Sequence, residues 1–99
     1  MKLNKEKIFE ILSENKEFLK RQGVRKLELF GSYARGEESS SSDIDFIIDF
    51  EKKTFDGYMN VKLFLEDVLK CPVDLVLENT IKPSLRDAIL REAVHAPGL

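Results

Sequence analysis

The sequence predicts an α/β fold, more strictly α+β: a mixed β-sheet core flanked by helices in the order α-β-α-β-α-β-α. Three observations carry that expectation. Ile44, Phe46, Ile48 and Phe50 alternate strictly with Asp43, Asp45, Ile47 and Asp49, the period of a strand with one core face. Apolar residues recur at helical three-and-four spacing before and after that strand, and Gly or Pro stands where those patterns stop.

Residues 4–21 carry Ile8, Ile11, Leu12, Phe18 and Leu19 among Lys and Glu, with Gly23 at a usual stopping point, so one amphipathic helix is expected there. Residues 24–30 are short and apolar, with Leu27 and Leu29 on one face of a first strand. Residues 32–37 have room for one or two helical turns before a serine run, 39–42, that reads as a flexible loop. The alternating strand follows. From about Asp56 to Lys70, Tyr58, Val61, Phe64, Leu65, Val68 and Leu69 recur as on a second long helix, which Pro72 stops. Val73, Leu75 and Leu77 then alternate with Asp74, Val76 and Glu78 in a third strand, and Pro83 suits the first turn of a last helix. Pro97, Gly98 and Leu99 read as a frayed tail.

Ninety-nine residues form a single domain, 1–99, and folding at this length buries somewhat more than ~60% of the unfolded chain's surface. The net charge of -2 supplies no basic field to draw the chain to nucleic acid or membrane, so any nucleotide must be held locally. The lone Cys71 excludes an internal disulfide framework and reads as a packed thiol. Nothing resembles a signal peptide or an apolar run of ~20 residues, and a reducing cytoplasm is the expected compartment.

The chemistry concentrates at Gly31, Ser32, Asp43, Asp45 and Asp74. Two residues apart on a strand, Asp43 and Asp45 leave the same face with Cα atoms about 6.5–7 Å apart and can share a cation. Asp74, between Val73 and Leu75, joins them if the second and third strands run parallel. Gly31 and Ser32, at the end of the first strand, can meet Asp43 only if the first two strands run antiparallel. The sheet must therefore be mixed. Gly31 admits a phosphate close to the backbone, Ser32 adds a hydroxyl at a helix start, and Arg35 lies one turn on, within reach of the same anion or of Glu37 or Glu38. Carboxylates facing triphosphate oxygens suit one or two Mg2+ ions, and the arrangement points to phosphoryl or nucleotidyl transfer. Asp49, further along the acidic face, reads as solvation and His95 as surface. Tyr33 suits either stacking on a base or helix packing. A Walker phosphate loop and an EF-hand loop are both absent.

The run Leu29-Phe30-Gly31-Ser32-Tyr33-Ala34-Arg35-Gly36, followed by Ser42-Asp43-Ile44-Asp45-Phe46, resembles the signature of minimal nucleotidyltransferases in the DNA polymerase beta-like superfamily, over a core of about residues 5–94. The resemblance implies an enzyme that takes ATP or another NTP, Mg2+ on Asp43 and Asp45, Asp74 as a further ligand or as the base for the acceptor hydroxyl, and Ser32 on the distal phosphates. It also implies a HEPN-family protein partner in a toxin–antitoxin pair, with this chain as the antitoxin and AMP moved to a hydroxyl of that partner. The acceptor surface would then come from another polypeptide, in a homo- or hetero-oligomer. Two other readings stand beside it: a non-catalytic antitoxin that neutralises its partner by binding, with Phe55 and Tyr58 at the interface, and transfer to a small molecule.

Overall fold

The computed structural model describes residues 3–39 and 41–98; Ser40 of the serine run and Leu99 of the tail lie outside the described residues. The elements in order are helices α1 (Lys5–Glu14) and α2 (Lys16–Arg21), strand β1 (Val24–Phe30), helix α3 (Ser32–Arg35) and strand β2 (Ile44–Phe50). Helix α4 (Phe55–Leu69), strand β3 (Val73–Leu77), helix α5 (Pro83–Glu92) and strand β4 (Val94–His95) complete the chain, with a single 3-10 turn at Glu78–Thr80.

The expected first helix is broken at Asn15. Its backbone N–H bonds back to the carbonyls of Leu12 and Ser13, and its side-chain amide donates to Ile11 O at 2.8 Å, satisfying carbonyls that a continuing helix would have used. Asn4 caps the start of α1, its side chain accepting from Lys7 N at 2.8 Å, and Thr54 caps α4 in the same way through Gly57 N at 3.0 Å.

The sheet order is β3-β2-β1-β4, with β2 and β3 parallel and the other two pairings antiparallel. The mixed sheet is thus as expected, with one added strand. In β4, Val94 and His95 lie opposite Leu29 and Glu28, Ala96 N donates to Leu27 O at 3.0 Å, and Ala96 is fully buried. The chain end is therefore held on β1 as far as Ala96.

Alternation along the strands divides the sheet into two faces. Ile44, Phe46, Ile48 and Phe50 of β2 join Leu27 and Leu29 of β1 and Val73 and Leu75 of β3 in a core closed by Ile8, Leu12, Leu19, Val61 and Leu65 from the helices. Phe18 and Phe64 stack across α2 and α4 with ring centroids 4.0 Å apart. The outer edge of β3 is occupied by side chains. Val73 N donates to Glu66 Oε2 at 3.0 Å, Leu75 O accepts from the Tyr58 hydroxyl at 2.6 Å, and Leu77 O accepts from Thr80 Oγ1 at 2.7 Å. Among the described residues no helix is long and apolar enough to cross a membrane.

Candidate active site

The acidic residues stand at one end of the second sheet face. Asp45 lies opposite Phe30 in the antiparallel pairing and opposite Asp74 in the parallel one, so β2 places it between the end of β1 and the start of β3. Neighbouring strands are ~4.8 Å apart, which fixes the backbone spacing of Asp45 and Asp74. Asp43 immediately precedes β2, where Ile44 N donates to Pro72 O at 3.0 Å and ties the loop before β2 to the loop before β3. The register pairs Asp45 with Asp74 and leaves Asp43 just before β2, so the three carboxylates lie at one end of the sheet.

Its electrostatic consequence falls on Asp45. Partial burial, then the negative charges of Asp74 and Asp43, push its carboxyl above the usual carboxylate range, and Arg35 pulls the other way. Asp43 and Asp74 are exposed, so the cluster opens to solvent.

Gly31 follows Phe30, and the register therefore brings it beside Asp45. Its φ of 77° and ψ of -154° lie in a region essentially reserved for glycine. A Cβ built there would collide with Asp45 Oδ2 and stand 3.1 Å from its Cγ. Glycine at 31 thus serves two ends: it turns the chain from β1 into α3, and it leaves the Asp45 carboxylate its position. Ser32 opens α3 directly after it. Gly31 offers no side-chain cap, so the first-turn N–H groups keep their capacity for an outside acceptor. Gly36, in the left-handed conformation, ends the helix, and Glu37 N returns to Ser32 O at 2.8 Å.

Arg35 is engaged with carboxylates: it bonds Glu37, as the local spacing allows, and reaches Glu92 Oε1 of α5 at 2.7 Å. Glu92 is the site neighbour that sequence reasoning did not name, because 57 residues separate it from Arg35 and no local spacing joins them. Asp49 is paired with Arg25 at 2.6 Å and stands apart from the acidic cluster. Tyr33 is buried in the core on the helix-covered side, the packing alternative of its two readings. Half-buried Cys71 lies 3.5 Å from Ser42 O, and His95 is exposed on β4.

Among the described residues no three His, Cys, Asp or Glu side chains are placed, as they stand, to hold a metal ion. The donor types are nevertheless those a hard divalent cation takes: Asp45 and Asp74 are paired across β2 and β3, Asp43 stands just before β2, and like charge from both bears on Asp45.

The family model described as Polymerase beta, Nucleotidyltransferase matches residues 6–95. A protein adenylyltransferase MntA of Thermococcus cleftensis is 38% identical over 95 residues, covering 94% of this chain and 96% of that one. Among solved structures, a provisionally assigned minimal nucleotidyltransferase is 34% identical with a TM-score of 0.82, over 93% of this chain and 95% of the other. A toxin–antitoxin structure with AMP-PNP shares the fold at 24% identity and a TM-score of 0.69, over 98% of this chain and 75% of that one.

Proposed function

The chain belongs to the polymerase beta nucleotidyltransferase family, and from that premise we propose that it moves AMP from ATP to a hydroxyl of a HEPN-class partner protein, acting as the antitoxin of a toxin–antitoxin pair. The observation that supports the reading is Asp45 between Asp74, its partner on β3, and Gly31, so that paired carboxylates stand beside the first turn of α3.

Gly31, Ser32 and the first-turn N–H groups of α3 hold the distal phosphates of the NTP. Asp43, Asp45 and Asp74 would hold Mg2+, which when bound neutralises charge on the triphosphate and on the oxygens of the reaction. The acceptor oxygen forms a bond to the α-phosphorus as the bond to the bridging oxygen breaks, and pyrophosphate leaves. Asp74, exposed at the start of β3, acts as third ligand or takes the hydroxyl proton. Asp74→Asn separates these roles: loss of a ligand raises the Mg2+ requirement, whereas loss of a base flattens the rise of rate with pH. Arg35 exchanges a carboxylate partner for phosphate when nucleotide binds, so Arg35→Ala raises KM for ATP more than it lowers kcat.

A partner that presents the acceptor hydroxyl suits an acidic end open to solvent, where Asp43 and Asp74 are exposed. Labelled ATP, Mg2+ and the partner protein should yield labelled partner, and Asp43→Ala with Asp45→Ala should abolish labelling while the fold persists. Persistent labelling in the double variant ends the assignment. A second reading, neutralisation by occlusion, is favoured by Phe55, which is 77% exposed beside Tyr58 and Leu77. Under that reading the double variant still neutralises the partner, and Phe55→Ser does not.

A further inference from the structure

A cleft of about 640 Å³ opens on the helix-covered side of the sheet, behind α3 and away from the carboxylate face. Its walls are mainly apolar, with Ile11 of α1, Val68 and Leu69 of α4, and the ring of Tyr33. That size and lining are those of small-molecule sites, which carry a few placed polar groups on an apolar surround. The polar groups here are unequal. Lys7 and Lys70 border the cleft, yet each has a carboxylate nearby, Glu10 at 3.3 Å and Asp67 at 3.7 Å. Glu38 differs.

Its Oε1 is one of two buried side-chain oxygens among the described residues that lack a hydrogen-bond partner. The other, on Glu28, has the Lys26 ammonium 3.8 Å away. A carboxylate oxygen removed from water and given no donor is left unsatisfied, so it is a strong acceptor for any N–H group that reaches it. Burial first, then Cys71 and Glu38, push the Tyr33 phenol above its usual range, so the ring meets the cleft as a neutral phenol.

We propose that this cleft binds a small molecule with a planar apolar body and a cationic N–H donor group, the body lying against Tyr33, Ile11 and Val68 and the donor on Glu38. The chemistry is that of an aryl amidine or guanidine, whose paired N–H groups match a carboxylate. The site is separate from the nucleotide-transfer reading and does not depend on it.

The test is an amide-resolved NMR titration of the full chain with benzamidine, benzamide and benzoate. Benzamidine should shift the amides of Glu38, Tyr33 and Cys71 saturably, benzamide should bind more weakly, and benzoate should leave them unmoved. Glu38→Gln should weaken benzamidine at least tenfold. Val68→Trp, which puts a bulky ring into the cleft from α4, should abolish binding and keeps the test open if the first variant folds poorly. Equal shifts with benzoate, unchanged affinity in both variants, shifts confined to Asp43, Asp45 and Asp74, or no saturable response would each overturn the proposal.

Discussion

The two faces of β2 are one backbone put to opposite uses. On the helix-covered face Ile44, Phe46 and Ile48 have no exposed surface, and their burial holds the strand in place. On the other, Asp45 and Asp49 stand with only Ile47 buried between them. Asp49 is neutralised by Arg25, whereas Asp45 gathers like charge from Asp43 and Asp74. Stability therefore resides on one face and the proposed chemistry at one end of the other, and the two should respond to mutation independently.

Phe46→Ala should produce the largest loss of folding, about 3–5 kcal/mol, a large fraction of the 5–15 typical of a domain. Denaturant titration of that variant would break the comparison if the midpoint barely moved. Asp45→Asn should do the reverse, lowering transfer at least a hundredfold, about 2.7 kcal/mol of barrier, while the melting temperature stays or rises. Gly31→Ala should impair both properties. Strain at its positive φ costs about 1–3 kcal/mol, and displacement of the Asp45 carboxylate lowers transfer, so melting and labelling assays fall together.

A smaller effect follows from the raised pKa of Asp45. The folded state holds that proton more tightly than the unfolded chain, so the contribution of Asp45 is full below the ordinary carboxylate pKa of about 3.9 and is lost as pH rises through the raised value. The stability advantage of Asp45→Asn over the parent should accordingly grow from pH 3 to neutrality. Mg2+ should narrow it by stabilising only the parent, and urea midpoints across that range measure both shifts. Smallest of all, Asp49→Asn should leave labelling unchanged and the melting temperature nearly so, because its ion pair with Arg25 is solvent-exposed.

Much of this division was legible beforehand because it rests on local period. Alternation from Asp43 to Phe50 announces both faces of β2, and the requirement that Gly31 and Ser32 meet Asp43 while Asp74 joins the acidic pair dictates one antiparallel and one parallel neighbour. The break at Asn15 was hidden because Ile8, Leu12 and Leu19 keep helical spacing straight through it, so the pattern shows no interruption. Strand β4 was hidden for the opposite reason. Two residues have no period, and Val94 and His95 become a strand only through partners some 66 positions earlier on β1. The Arg35 contact to Glu92 belongs to the same class: α5 delivers it, and no spacing rule predicts it.

The side chains along the outer rim of β3 also govern how the molecule can be approached. Glu66, Tyr58 and Thr80 engage backbone groups at every second residue from Val73 to Leu77, the positions an arriving strand would need. Lateral growth into a longer ribbon is thereby discouraged on that flank, where the chain most resembles a template for its own copies. Under the proposed function a docking protein would meet side-chain surfaces instead, at the open carboxylate end, with its hydroxyl presented there.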